Sequence, residues 1–438
     1  MDGSSHPLIN IVKCHKQGTP VGIYSICSAN ELVIEAAMER TLKDNDLILI
    51  EATANQVNQY GGYTGMKPSD FRDFIFSIAK RTGFPQGKII LGGDHLGPLT
   101  WRSKASGIAM EESKELIRQF ISAGFTKIHI DTSMHLGDDD KNVKLDAGTV
   151  ADRAALLCET AEKAFTELKR AYPDARQPVY VVGSEVPIPG GAQEDEGAIR
   201  ITKPEDFEET VELFKDAFYR YGLSNAWENV IAVVVQPGVE FGDTSIHEYD
   251  SESAKGLTAA LRKYPNLVFE GHSTDYQTAG SLKMMVEDGI AILKVGPALT
   301  FALREGLFAL NLIENELFSF NSGICLSNFI DVLDAAMERN PENWMRHYHG
   351  SGSETRLARK YSFSDRCRYY LPDRDVQESM GILFKNLGSV DIPLTLISEY
   401  MPVQYCKIRN GLLKKEPLCL VKDKIVNCID DYICAKGG

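Results

Sequence analysis

Residues 88–98 read Lys88-Ile-Ile-Leu-Gly-Gly-Asp-His-Leu-Gly-Pro98. An apolar run passes into two glycines, then an acid and an imidazole, then Gly97-Pro98. The run predicts a strand over 88–92 that delivers Asp94 and His95 at its carboxyl end. The glycines and the proline predict a turn there, with a loop closing over the pair. An acid beside a histidine at a strand end suits proton transfer or metal ligation. The plainer alternative is a turn in which Asp94 caps the next helix.

The same unit recurs on both sides of this stretch. Strands are predicted over 21–27, 47–51, 126–131, 178–185, 230–236, 267–272 and 290–295 as well. Each is followed by a helical pattern: from Asn30, from Pro68, through Met110 to Ala123, then over 149–171, 204–221, 251–263, 280–288 and 297–317. The strands are continuous apolar runs, as parallel strands covered on both faces require. Eight such units in about 300 residues match a (β/α)8 TIM barrel. A doubly wound open sheet is the alternative, but no Gly-x-Gly-x-x-Gly follows the first strand. The expected fold class is therefore α/β, with the barrel over 1–320 and a helical C-terminal extension over 321–438 packed on it. Helices are expected there over 322–340, 376–388, 393–410 and 415–434, with a loop at His347–Ser353.

Composition narrows the function. Lys and Arg total 47 against 61 Asp and Glu, a net charge of -14, which excludes a general binder of nucleic-acid phosphates. No apolar run approaches the roughly 20 residues of a membrane helix, so no membrane partner is expected. Residues 1–6 lack a basic then apolar signal pattern. The nine cysteines contain no Cys-x-x-Cys pair, which fits reduced thiols and a cytoplasmic location. Cys27 ends a strand and reads best as a small core residue.

In a barrel the chemistry sits at the carboxyl ends of the strands. Those ends carry Glu51, Asp94 with His95, His129 with Asp131, Glu185, Gln236, Glu270 with His272, and Lys294. That clustering points to a ligand or metal site. His95, Glu185 and His272 come from well-separated strands and suit one divalent ion, zinc or manganese, with Gln236 or Glu270 completing the shell. Asp94, Glu51 and Asp131 are the candidates for proton transfer. Gln56, Glu270, Asp275 and Lys294 are the candidates for binding a sugar or sugar phosphate. The run His272-Ser-Thr-Asp-Tyr-Gln277 is dense in groups that suit a polyol. Lys294 is expected to pair with a barrel carboxylate rather than form a Schiff base. His129 stands lowest among these, lying two residues inside its strand end. Glycine-rich loops at 61–65, 187–195 and 236–241 offer amides to a phosphate or to hydroxyls.

Longer motifs carry a family resemblance. Ile50-Glu-Ala-Thr-Ala-Asn-Gln-Val-Asn-Gln-Tyr-Gly-Gly-Tyr-Thr-Gly65, Leu91-Gly-Gly-Asp-His-Leu-Gly-Pro98, Gly183-Ser-Glu-Val-Pro187, Val235-Gln-Pro-Gly-Val-Glu-Phe241, Glu270-Gly-His-Ser-Thr-Asp-Tyr-Gln-Thr278, Leu293-Lys-Val-Gly-Pro-Ala-Leu-Thr-Phe-Ala-Leu-Arg304 and Ser362-Phe-Ser-Asp-Arg-Cys-Arg-Tyr-Tyr370 resemble the Z-subunit family of D-tagatose-1,6-bisphosphate aldolase. The resemblance implies a barrel protein of galactitol or N-acetylgalactosamine catabolism, in tagatose 6-phosphate degradation. It implies an accessory, non-catalytic subunit that supports a catalytic class II zinc aldolase subunit, and so an oligomeric assembly.

A more distant resemblance joins the chain to class II aldolases. It makes Asp94 the proton donor, and His95 and Glu185 metal ligands. Val235-Gln236-Pro237-Gly238 replaces the motif that gives a ligand histidine, and Glu270-Gly271-His272-Ser273-Thr274 displaces another. Aldol cleavage of a bisphosphate by this chain alone is therefore not expected. The alternative is an independent, divalent-metal-dependent ketohexose or uronate epimerase or aldolase-like enzyme. Aromatic and arginine side chains over 344–370 make that segment a candidate partner contact, with packing on the barrel the preferred reading.

Overall fold

The structure, a computed structural model, describes residues 6–183 and 199–437. The chain runs α1 (Pro7–Lys16), β1 (Ile23–Ile26), α2 (Glu31–Lys43), β2 (Ile48–Thr53), α3 (Pro68–Thr82), β3 (Ile89–Leu96), α4 (Ser106–Ser122), β4 (Lys127–Ile130), α5 (Ala147–Ala171) and β5 (Val179–Val182). After residue 199 come α6 (Pro204–Arg220), α7 (Ser224–Trp227), β6 (Val230–Val235), a short antiparallel ribbon of β7 (Glu240–Phe241) with β8 (Ile246–His247), and α8 (Ser251–Leu261). Then follow β9 (Val268–Gly271), α9 (Ala279–Glu287), β10 (Ile290–Val295) and α10 (Pro297–Phe318). Eight strands close a parallel barrel in the order β1-β2-β3-β4-β5-β6-β9-β10, and β10 pairs back to β1. The expected (β/α)8 barrel is the observed one.

Side chains alternate in and out along each strand, so the interior is built in layers. Ile23, Leu49, Ile90, Val179, Val181, Val268 and Ile292 form an apolar floor. Helix α1, which the sequence reading did not anticipate, presses Leu8 and Val12 into that floor from below. Two residues further along their strands, Ser25, Glu51, Glu270 and Lys294 replace the apolar side chains, and Lys127 joins them from β4. The polarity switch occurs inside the barrel, below its mouth.

The glycine pair at 92–93 serves differently from the expected turn. Strand β3 runs through both glycines to Leu96. A Cβ on Gly92 would sit 2.6 Å from Cγ of Glu51, and one on Gly93 would sit 2.4 Å from Leu96. The two glycines make room for neighbouring side chains rather than reversing the chain. The irregularity falls later: His95 has φ 47, in the left-handed region, and the β3–β4 register shifts between Gly93 and Leu96.

Beyond the barrel lie α11 (Phe329–Arg339), α12 (Gly352–Tyr361), α13 (Arg374–Gly388), α14 (Leu394–Tyr400), α15 (Pro402–Arg409) and α16 (Pro417–Ala435). The single helix expected over 393–410 is divided at Pro402, which has no N–H to continue the first helix. Helix α16 returns to the barrel and packs against α2, α9 and α10 through Leu420, Val421, Ile425, Ile429 and Tyr432. Its Tyr432 hydroxyl donates to Thr274 O at 2.8 Å, and Gly22 N donates to Lys436 O at 2.8 Å. Helix α10 is thereby enclosed between α16 and the appended α11, α13 and α14.

One end of α1 gives a pH-sensitive anchor. Nδ1 of His6 accepts from Leu8 N at 3.2 Å and caps the helix, leaving Nε2–H to donate to Thr126 Oγ1 at 3.1 Å. The cap needs Nδ1 unprotonated, so protonating the ring breaks it. Burial, helped by Arg176, lowers the His6 pKa to about 3. The unfolded chain therefore takes up this proton first as pH falls, and the stability due to His6 is lost from about pH 6.5 down towards 3. Replacing His6 with Asn, which still caps, is expected to remove about 2 kcal/mol from the difference in unfolding free energy between pH 7 and pH 5. Urea unfolding at the two pH values checks this; an unchanged difference contradicts it.

Candidate functional site

The polar layer is a connected network of buried charges. Lys127 Nζ lies 2.9 Å from Glu51 Oε2 and 2.7 Å from Glu270 Oε2, and all three side chains are 0% exposed. Lys294 Nζ lies 2.9 Å from both Glu51 Oε2 and Asp94 Oδ1. Ser25 donates to Glu51 Oε1 at 2.6 Å. Ions so deep persist only when each is paired. Burial opposes charge on Lys294, but Asp94, Glu51 and Glu270 outweigh it and raise its pKa. Burial also opposes charge on Asp94 and Glu270, but the lysines overcome it and hold both carboxyls well below their ordinary range. Lys294 is thus an ammonium ion, as its expected ion pair required, and not a free amine.

Above this layer three imidazoles meet. His95 Nε2 and His272 Nδ1 are 3.0 Å apart. The other nitrogen of each is held by a carboxylate: His95 Nδ1 by Asp131 Oδ2 at 2.8 Å, and His272 Nε2 by Glu270 Oε1 at 3.0 Å. Ring N–H groups donate to those carboxylates, so the facing nitrogens are both lone-pair acceptors when the rings are neutral. Two lone pairs at this distance need a positive charge between them. Without a metal, a proton on His95 supplies it. Burial disfavours that charge, yet Asp94 and Asp131 outweigh burial and raise the His95 pKa. His272 is driven the other way by burial, to about 3. His129 completes the group. It faces Asp94 Oδ1 with Nδ1 at 2.9 Å, accepts from the His95 amide at 3.1 Å, and donates Nε2–H to Gly183 O at 2.9 Å. Ligand atoms of Asp94, His95, His129 and His272 all lie within 4.8 Å of one another.

These groups open on a cavity at the barrel mouth. Its floor is Asp94, His95, His272 and Lys294, and its upper wall includes Asn55, Gln56, Tyr63, Arg368 and Tyr369. Gln56 is fixed by accepting from Thr53 N at 2.9 Å. Asp275 Oδ1 accepts from Gly296 N at 2.9 Å and Ala298 N at 2.8 Å, capping α10, while burial pushes its pKa up to about 6.

Of the sequence-derived candidates, the structure gathers Glu51, Asp94, His95, Asp131, Glu270, His272 and Lys294 into one cluster, with Gln56 and Asp275 on the cavity wall. Gln236 is not brought to it: its Oε1 accepts from Gly238 N at 2.9 Å and Val239 N at 3.0 Å, within its own loop. Glu185, and the glycine-rich stretch at 187–195, lie outside the described residues. Lys127 escaped the sequence reading, and His129 was ranked too low. Counting back by twos from Asp131 puts both on the same inward face, a signal that strand periodicity supplies. Arg368 and Tyr369 had no local signal, because only the folded extension brings them to the barrel mouth, where they meet Tyr63 of the β2–α3 loop.

Residues 8–436 match the family model described as "D-tagatose-1,6-bisphosphate aldolase subunit GatZ/KbaZ-like". Two relatives carrying the name D-tagatose-1,6-bisphosphate aldolase subunit GatZ are similar nearly end to end. The one from Klebsiella pneumoniae is 47% identical over 97% of this chain and 97% of its own. The one from Salmonella gallinarum is 46% identical over 96% of this chain and 97% of its own. A solved structure from Sinorhizobium meliloti, described as a probable tagatose 6 phosphate kinase, is 43% identical. It superposes with a TM-score of 0.86 over 94% of this chain and all of that one.

The charge network makes a test. Lys127→Met leaves Glu51 and Glu270 facing each other across an apolar side chain. Breaking a buried pair from one side is expected to cost about 3–5 kcal/mol in denaturant unfolding, and adding Glu270→Gln to recover part of it. A loss under about 1 kcal/mol for the single variant would show that Lys127 does not hold the carboxylates.

Proposed function

This chain belongs to the D-tagatose-1,6-bisphosphate aldolase subunit GatZ/KbaZ-like family, and we propose that it serves as the accessory subunit of such an aldolase while keeping a divalent-metal and sugar site in its own barrel mouth. The accessory part rests on the family and on one position. Where class II aldolases carry a ligand histidine, Gln236 spends its side-chain oxygen on its own loop. The partner is accordingly a separate catalytic class II aldolase subunit. The nine free cysteines suit a reducing compartment such as the cytoplasm, and no helix among the described residues is long and apolar enough to cross a membrane.

The observation that carries the metal site is the facing of His95 Nε2 and His272 Nδ1, each aimed by a carboxylate on its far nitrogen. Carboxylates in that outer position orient metal-binding imidazoles and raise their basicity. The charge balance agrees. Among the described residues four carboxylates, Glu51, Asp94, Asp131 and Glu270, face two ammonium groups, Lys127 and Lys294. With neutral imidazoles and ionised carboxyls, two negative charges are left, which one divalent cation matches. His95 and His272 would hold it, with Asp94 and His129 adjacent. Once bound, such an ion polarises a carbonyl oxygen. The chain's own groups do the rest: Asp131 and Glu270 fix the rings, Lys294 keeps Asp94 ionised, and Asn55 and Gln56 meet hydroxyls.

A second reading is favoured by the open cavity directly above these groups: the chain acts alone on a ketohexose or uronate as an epimerase-like enzyme. Elemental analysis of the purified protein tests the metal site. One zinc or manganese per chain is expected, falling below about a tenth in His95→Ala and His272→Ala; metal-free protein that gains no thermal stability from either ion refutes it. Coexpression tests the role. A class II tagatose-bisphosphate aldolase subunit is expected to copurify with this chain and to lose activity without it. Equal activity and stability without it, with ketohexose turnover by the isolated chain, favours the second reading instead.

A further inference from the structure

Arg368 comes from the C-terminal extension yet lines the barrel-mouth cavity. It also lines a second, larger and more apolar cavity beside it, between the start of α2, the β2–α3 loop, α10 and α13. Its guanidinium is half-buried and, among the described residues, no carboxylate lies within ion-pair distance of it. Nη1 donates to the carbonyls of Ser364 and Asp365, and Nη2 donates to the Tyr369 hydroxyl at 3.1 Å. Those three bonds fix the group while leaving Nε–H and one Nη2–H without an acceptor among the described residues. Tyr369 also stacks beneath the cation, 4.6 Å from ring centroid to Cζ, and meets Tyr63 of the barrel edge-on at 4.9 Å. The floor of the same cavity holds the other cation, Lys294, but three acids already claim it.

A fixed guanidinium with unspent donors, in a water-poor wall opposite a polyol-lining floor, has one common use. It clamps two oxygens of a phosphate or similar oxyanion. Tyr63 and Tyr369 add hydroxyls beside it. We propose that Arg368, with Tyr63 and Tyr369, is the phosphate-binding end of the barrel-mouth site, so that the ligand is a phosphorylated sugar held between the imidazole cluster and the extension. This rests on the reading of the mouth as a sugar site. It gives the extension a part in recognition, because Arg368 and Tyr369 both come from it.

Calorimetric titration of the full chain with D-tagatose 1,6-bisphosphate, D-tagatose and inorganic phosphate tests it. The bisphosphate is expected to bind at least about tenfold more tightly than D-tagatose. Arg368→Gln removes that margin and leaves D-tagatose binding as it was, and Arg368→Lys, which keeps charge without the fork, falls between. If Arg368→Gln does not fold, Arg368→Lys carries the comparison. Both variants retaining the full margin overturns the proposal while the sugar site stands. Wild-type protein that binds neither sugar refutes the reading of the mouth, and the proposal with it. Phosphate binding alone, lost in Arg368→Gln, leaves an anion site with no sugar specificity and also overturns the proposal as stated.

Discussion

Two lysines and three carboxylates share the middle of a closed barrel, and everything above them depends on that arrangement. Charges placed there have given up their water, so none can be removed without stranding its neighbours. Lys127 bridges Glu51 and Glu270 from one side, and Lys294 bridges Glu51 and Asp94 from the other. The carboxylates are thereby fixed in place, with Asp94 and Glu270 held ionised. Glu270 can then hold His272 from below, Asp94 can face His129, and the imidazoles are presented to the cavity with defined tautomers. Gly92 belongs to the same constraint, since any side chain there would occupy the space of the Glu51 carboxylate.

The mouth is built from backbone that ordinary side chains avoid. His95, Ser273 and Tyr276 all lie in the left-handed region, with φ of 47, 51 and 66. Such conformations cost of order 1–3 kcal/mol each and persist when surrounding bonds over-determine them. For His95 those bonds are its amide to His129 and its ring to Asp131. The strain and the buried ions occupy the same few residues, a pattern suited to holding a ligand rather than to stability alone.

Much of this was legible because barrel chemistry is written at strand ends. Eight apolar runs with helical patterns between them predict the barrel, and the acids and imidazoles at their ends predict the cluster. What was missed has definite physical reasons. Lys127 sits at the start of its strand, where a lone lysine reads as a solvated edge, and only the closure of the barrel reveals that it points inward. The glycines at 92–93 read as a turn because their true partners, Glu51 and Leu96, are visible only in three dimensions. Helix α1 is short and precedes the first strand, and its purpose, to stopper the floor with Leu8 and Val12, comes from tertiary packing. Arg368 reaches the site from 344–370, where aromatic and basic residues read as packing on the barrel or as a partner contact; Tyr348 and Tyr370 are indeed buried, but Arg368 and Tyr369 turn to the cavity.

The return of α16 to the barrel has a consequence for how the protein is made. Strand β1 leaves the ribosome well before α16, yet Tyr24 packs against Tyr432, and Gly22 bonds to Lys436 just past that helix. Throughout synthesis the outer face around β1, α2 and α9 lacks its cover. The nascent barrel must therefore wait, with apolar surface open to chaperones or to another nascent chain, until α16 emerges.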